Sequence, residues 1–304
     1  MLHYLKVWFA AARPHTLSAA AVPVLVGSAL AFSKESFAWP LFGWTLLGSL
    51  LVQVGTNFTD EFSDHHTVAA GHKFPAPHKV IARGLLSVRA VCWGTAVVFG
   101  AASLIGMYLV SRTGWPLLAV CLVSLVVAYF YSAGPLPLGD IALGEVLVFA
   151  VMGPLMVMST VYVQTLHWDM LAFWLALPVG GLVTAILVAN NLRDAEEDRT
   201  GGRRTVVTVF GVGTVGWGYR ALLLLAFAMP GVAVGAHWGS SWLLLPWLTL
   251  PLALRQLVVL RAGLAAVADK ESSRSTLHSL LKGTSALHLL FGLLLALALV
   301  LDAS

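Results

Sequence analysis

Nine long apolar stretches constrain this chain more than any other feature. They run over 16–33, 39–58, 86–110, 115–132, 141–163, 170–192, 214–236, 241–261 and 284–302, and most breaks between them carry glycine, proline or charge. A bilayer core is crossed by about 20 mostly apolar residues in a helix. Composition agrees, since 59% of the 304 residues are apolar and 11% are charged, with a mean hydropathy of +0.86. Water-soluble domains carry roughly a quarter charged residues. Lipid is therefore the expected solvent. The chain reads as an all-α, multi-pass membrane protein, a single membrane-embedded domain over 1–304 with no soluble domain attached.

The net charge of +4 does not point to nucleic acid, because the basic residues sit between apolar stretches, as topology signals do. With the N-terminus in the cytoplasm, sixteen Lys and Arg fall on the inner side and two, Lys34 and Arg112, on the outer side. This asymmetry predicts a cytoplasmic N-terminus and an external C-terminus in the inner (plasma) membrane. Cys92 and Cys121 lie inside apolar runs and read as packing residues.

Fourteen residues are acidic, and seven of them fall in two short clusters. The first runs Asn57-Phe-Thr-Asp60-Glu61-Phe-Ser-Asp64, and the second Asn191-Leu-Arg-Asp194-Ala-Glu196-Glu197-Asp198. Each lies where a span, the second and the sixth, reaches the cytoplasmic face. Carboxylates there are costly and mark function. Asn57, Asp60 and Asp64 stand at i, i+3 and i+7, and Asn191, Asp194 and Asp198 repeat the spacing. On a helix these positions share one face. Two such faces turned toward each other make a cage of hard oxygen ligands, which favours Mg²⁺ bridged to phosphates. His72, Lys73, Lys79 and Arg83 follow the first cluster, and Arg199, Arg203 and Arg204 follow the second. Acids, metal and basic side chains together hold a diphosphate and neutralise it as it leaves.

At these residues the sequence resembles the UbiA superfamily of aromatic prenyltransferases, most closely its 1,4-dihydroxy-2-naphthoate branch. Arg13-Pro14-His15-Thr16-Leu17 and Val22-Pro23-Val24-Leu25-Val26-Gly27 look like the family's first helix. Gln53-Val-Gly-Thr-Asn57 leads into the first acidic motif. Tyr131-Ser132-Ala-Gly134-Pro135-Leu-Pro137-Leu-Gly139 and Leu143-Gly144-Glu145 follow the family pattern into the fifth span. Asn190-Asn191-Leu-Arg193-Asp194 with Asp198, then Gly202-Arg203-Arg204-Thr205, matches the second motif.

The resemblance implies a bundle of about nine spans around a central cavity, with the acidic motifs at its cytoplasmic mouth and the polyprenyl tail in apolar surroundings. It implies Mg²⁺-dependent transfer of a polyprenyl group from polyprenyl diphosphate to an aromatic acceptor, with loss of CO₂ when that acceptor is 1,4-dihydroxy-2-naphthoate. Membrane lipid is the implied surrounding. Asp60, Glu61, Asp64, Asp194 and Asp198 become the expected metal ligands and catalytic carboxylates. Asn57, Asn190 and Asn191 orient ligands or phosphate oxygens. Lys73, Arg83, Arg203 and Arg204 are expected at the diphosphate. Arg13 is expected at the acceptor carboxylate or the diphosphate, Tyr131 beside the developing cation, and Glu145 near acceptor or metal.

Two alternatives stay open at this point. Another aromatic acceptor, such as 4-hydroxybenzoate, would use the same reaction. A transporter would also pair equivalent spans, although its site would sit near the midplane. The first motif also departs from the family's Asn-Asp-x-x-Asp, reading Asp60-Glu61-Phe-Ser-Asp64. The internal repeat makes Asp60 the counterpart of Asp194, whereas the family pattern makes Glu61 the principal ligand. On the family pattern, Glu61→Gln is expected to impair catalysis and Asp60→Asn to keep most activity.

Overall fold

The computed structural model describes residues 2–69, 79–135, 137–266 and 270–303. Lys73 and His72 lie outside the described residues. A short helix, α1 (Leu2–Ala11), and a 3₁₀ turn at Pro14–Thr16 precede α2 (Leu17–Ser33), α3 (Trp39–Ala69), α4 (Val88–Thr113) and α5 (Trp115–Phe130). Then come α6 (Gly144–Ala150) and α7 (Met156–Thr165), joined by a π-helical turn at Val151–Leu155. The chain continues through α8 (Met170–Thr200) and α9 (Val206–Gly235), then a 3₁₀ segment, Ser241–Thr249, running into α10 (Leu250–Ala265), and ends in α11 (Lys270–Asp302).

Among the described residues, seven helical stretches are long and apolar enough to cross a bilayer, and Leu17–Ser33 and Trp115–Phe130 are shorter apolar helices. Each of the nine apolar stretches read from the sequence thus corresponds to a helix. The second and sixth extend past the apolar run, so both acidic clusters are helical throughout. The π turn has a cause in Pro154, which lacks the N–H that a regular α-helix would use.

The helices α8 and α11 form the centre, packed on α2, α7, α9 and α10 through one apolar cluster that includes Val22, Leu182, Tyr219 and Phe291. Large apolar side chains such as Leu104, Met107, Leu224 and Val258 point outward and are exposed. This is the surface expected of a protein solvated by lipid. It is a multi-pass membrane protein.

Between membrane helices there is little hydrophobic drive, so close backbone approach matters. A Cβ on Gly153 would lie 2.7 Å from the Cα of Gly180, so the fifth span and α8 touch backbone to backbone. From that crossing, antiparallel helices carry Glu145 and Asn191 to the same level. Gly27 packs against α7 in the same way, since an added Cβ would stand 2.7 Å from the Val157 carbonyl oxygen. Gly27→Val is therefore expected to cost about 1–3 kcal/mol through overpacking, read as a lower melting temperature in detergent. An unchanged melting temperature would show that these helices can part freely.

A second apolar cluster closes the end of the bundle that carries the acids. Val7 and Ala11 of α1, Phe58 of α3, and Val80, Ile81 and Leu86 of the α3–α4 connection bury one another there. This packing fixes where the 79–81 backbone lies.

Candidate active site

A cavity of about 1280 Å³ opens at that end and runs into the bundle. Apolar residues of α2, α4, α5 and α7, among them Val24, Ile105, Leu125 and Met156, line its depth. Its mouth is polar, with Asp60 and Asp64 of α3 on one side and Asp194 and Asp198 of α8 on the other. The two helical faces predicted from the i, i+3, i+7 spacing do line one space, together with Asn57, Asn190 and Asn191.

On the α3 side every carboxylate is held by a cation or a backbone donor. Arg13 Nη2 donates to Asp60 Oδ2 at 2.7 Å and more weakly to Glu61 Oε1 at 3.4 Å. Arg13 itself sits at φ 50°, a left-handed conformation that costs a non-glycine residue of order 1–3 kcal/mol. The 3₁₀ turn that begins with Pro14 keeps it there and aims the guanidinium at α3. Burial works against its charge, but Asp60 and Glu61 outweigh that and raise its pKa. Lys79 is buried, donates to Asp60 Oδ2 at 2.7 Å and to the Asp60 carbonyl at 2.9 Å, and also reaches Asp64 Oδ2.

Asp60 and Glu61 differ sharply. The Asp60 side chain is 27% exposed within the cavity mouth, whereas that of Glu61 is 3% exposed. Glu61 Oε2 accepts from the Val80 N–H at 3.0 Å and, at its limit, from the Ile81 N–H at 3.5 Å. Glu61 thus docks the 79–81 segment, and Asp60 stands with Asp64 around the Lys79 ammonium.

On the α8 side Arg193 chelates its neighbour Asp194 and donates to Asn190 Oδ1 at 2.9 Å. Arg203 joins Asp198 Oδ1 at 2.8 Å to Asp140 Oδ1, in the loop before the fifth span. Burial opposes the Arg203 charge, yet Asp140 and Asp198 prevail and raise its pKa. Asn191 Nδ2 donates to Glu145 Oε1 at 2.8 Å, so Glu145 anchors the amide and is not among the lining residues. The Tyr131 ring lines the cavity, lodged over Gly139 and Gly144, where an added Cβ would come within 3.0 Å of its carbonyl and 3.1 Å of its hydroxyl respectively. Those two glycines of the sequence motif are the floor on which the tyrosine lies.

Arg83 and Arg204 are exposed and do not line the cavity. Arg204 contributes instead through its backbone N–H, which donates to the Asp140 carbonyl at 3.2 Å. Among the described residues, the cations that do line it are Arg13, Lys79, Arg193 and Arg203, joined by Arg274 and Lys282 of α11. Arg274 also bridges to Glu197 of α8 at 2.6 Å. Sequence reading missed Asp140, Arg193, Arg274, His278 and Lys282 as site residues. Arg193 lies inside the second motif, and the i, i+4, i+8 spacing of Arg274, His278 and Lys282 puts those three on one shared face.

Among the described residues no group of three or more acids, histidines or cysteines converges as a ready metal cage. The donor set still suits a hard cation. It is all oxygen and sits in pairs, and Mg²⁺ commonly takes one or two carboxylates and completes its shell with water and phosphate oxygens.

Carboxylate pairs and cations thus stand at one end of an apolar cavity inside a membrane-helix bundle. Comparison with known proteins makes the class specific. Residues 20–281 match the model of the UbiA prenyltransferase family. The chain is 31% identical over 245 residues to the 1,4-dihydroxy-2-naphthoate octaprenyltransferase of Bacillus subtilis, covering 79% of this chain and 77% of that protein. It is 30% identical over 260 residues to the protein of the same name from Mycobacterium leprae, covering 84% and 86%. A solved UbiA homolog from Archaeoglobus fulgidus superposes with a TM-score of 0.64 at 12% identity, covering 97% of this chain and 99% of that one. A structure described as that organism's UbiA homolog bound to GPP and Mg²⁺ gives 0.62, also at 12% identity, over 95% and 99%. The chain belongs to the UbiA prenyltransferase family. It is a membrane-embedded prenyltransferase, and the transporter alternative falls away.

Proposed function

We propose that this enzyme transfers a polyprenyl group from polyprenyl diphosphate to 1,4-dihydroxy-2-naphthoate, with loss of CO₂, in a Mg²⁺-dependent reaction. The observation that carries the reading is the pair of Asn-x-x-Asp-x-x-x-Asp faces on α3 and α8, both lining the mouth of one apolar cavity. The names of its bacterial relatives support the acceptor.

Asp60, Asp64, Asp194 and Asp198 would hold Mg²⁺, directly or through water. When bound, the metal would offset the negative charge that builds on the departing diphosphate. Arg13, Lys79, Arg193 and Arg203 stand among those carboxylates and take up the diphosphate oxygens as the ion pairs rearrange. The allylic C–O bond breaks with its electron pair leaving on the diphosphate. The electron-rich ring carbon forms the new C–C bond, and the carboxyl group leaves as CO₂. Tyr131 presents an aromatic face toward the developing positive charge. The apolar depth of the cavity holds the tail and keeps water from the reacting carbon.

Membranes containing the protein, incubated with prenyl diphosphates, Mg²⁺ and a panel of aromatic acids, test the reading by product mass. The expected product is the decarboxylated 2-polyprenyl-1,4-naphthalenediol, or the 1,4-naphthoquinone it becomes in air. Product from 4-hydroxybenzoate alone would move the acceptor assignment.

The orientation proposed from charge places the active-site mouth in the cytoplasm. Single cysteines at Arg203 and Lys34 should then label in opposite ways in intact cells. Labelling at position 34 only is expected, and labelling at 203 only would invert the topology. The salt bridge of Lys34 to Asp169 at 2.6 Å fits the same picture, tying two connections at the end of the bundle away from the acids.

A further inference from the structure

Gln53 is a buried polar side chain with no part in the metal or diphosphate chemistry. It stands on α3 four residues before Asn57 and seven before Asp60, lines the cavity, and is 8% exposed. Its nearest polar neighbours on the helix have partners. Asn57 Nδ2 donates to the Ala12 carbonyl at 2.8 Å and to Thr16 Oγ1 at 2.9 Å, and Ser49 Oγ donates to the Leu46 carbonyl at 2.9 Å. Thr56 Oγ1 donates to the Val52 carbonyl at 2.9 Å. Gln53 Oε1, by contrast, is buried and accepts no hydrogen bond among the described residues. A buried acceptor left unpaired costs free energy, and native proteins rarely leave one so without a ligand or water to fill it.

The chemistry of that atom narrows what fills it. An amide oxygen needs a donor, which a prenyl tail, a diphosphate and a carboxylate all lack. A phenolic hydroxyl supplies one. Depth agrees. At 1.5 Å per residue, Gln53 lies about 6 Å below Asn57 and about 10 Å below Asp60 along α3. That level is between the charged mouth and the apolar tail channel, where an aromatic ring meets the first carbon of a prenyl group whose diphosphate sits at the carboxylates.

We infer that Gln53 accepts a hydrogen bond from a ring hydroxyl of the aromatic acceptor, and so orients the ring and selects hydroxylated ones. The inference rests on the proposed prenyl transfer for its acceptor class and deepens it. A site built to pair a hydroxyl discriminates strongly against the analogue that lacks it.

The test is anaerobic fluorescence titration of the purified full chain with 1,4-dihydroxy-2-naphthoate, 1-hydroxy-2-naphthoate and 4-hydroxy-2-naphthoate. Gln53→Leu should weaken the dihydroxy compound roughly tenfold to a hundredfold. It should leave untouched whichever monohydroxy analogue lacks the hydroxyl that Gln53 meets. The KM for polyprenyl diphosphate should stay within about twofold, and Gln53→Glu, which keeps an oxygen acceptor there, should retain most of the affinity. Equal affinity of wild type and Gln53→Leu for all three compounds would overturn the inference, leaving water as the occupant. So would equal weakening of every ligand, polyprenyl diphosphate included, which would mark a packing role. If the wild type prenylates only 4-hydroxybenzoate, the naphthoate reading fails by itself, and the same comparison with that acceptor decides the role of Gln53.

Discussion

Asp198→Asn is expected to lower kcat by at least about a hundredfold while the protein still inserts and folds. Asp194→Asn should do the same. Both residues stand on the cavity face of α8. Asp198 is buried and engages Arg203, so its neutralisation leaves that cation with Asp140 as its remaining charged partner among the described residues. Stability must therefore be read separately, by melting temperature in detergent. Asp140→Asn is the informative control. It removes the other Arg203 contact, and on the present assignment it removes no metal ligand. Its effect on kcat should be much the smaller of the two, and its Mg²⁺ titration should match that of the wild type. Full activity in a chelator, or in both α8 variants, would remove Mg²⁺ from the mechanism.

The second large effect is expected at Asp60. The family pattern alone favours Glu61 as the principal ligand of the first motif. The geometry favours Asp60: both residues line the cavity, but the Asp60 side chain is 27% exposed there, whereas that of Glu61 is 3% exposed and accepts from the Val80 and Ile81 N–H groups and from Arg13. Asp60→Asn should then cost about a hundredfold or more in kcat and raise the Mg²⁺ requirement. Glu61→Gln keeps a carbonyl oxygen for one backbone donor and should lose only several-fold, with an unchanged Mg²⁺ titration. Its predicted signature is a looser 79–81 segment, seen as faster proteolysis or hydrogen exchange there. The opposite ranking, a healthy Asp60→Asn beside an inactive Glu61→Gln, would return the ligand role to Glu61.

These two residues mark where sequence reading stopped. Adjacent positions on a helix point about 100° apart, so Asp60 and Glu61 enter the cavity lining from different angles. Spacing alone allows either register. The assignment proposed here rests on Val80, Ile81 and Leu86, whose burial against Val7, Ala11 and Phe58 sets two backbone N–H groups beside Glu61. The same packing explains why Lys79 reaches the carboxylates and Arg83, four residues on, is exposed.

What the sequence by itself determined was whatever is written in local periodicity and composition. The nine apolar stretches, the lipid surroundings, and the alignment of Asn57 with Asp60 and Asp64, and of Asn191 with Asp194 and Asp198, follow from helix geometry and the cost of burying polar groups in lipid. Tertiary structure alone decided which cation meets which carboxylate. Arg203 pairs with Asp140 across 63 positions of chain, Arg13 with Asp60 across 47, and Glu145 with Asn191 across 46. Such pairings depend on where helices cross, as at Gly153 and Gly180, and on how loops fold back. Neither leaves a repeat in the sequence, because a long-range contact is set by the packing of both partners' surroundings and not by the spacing of either.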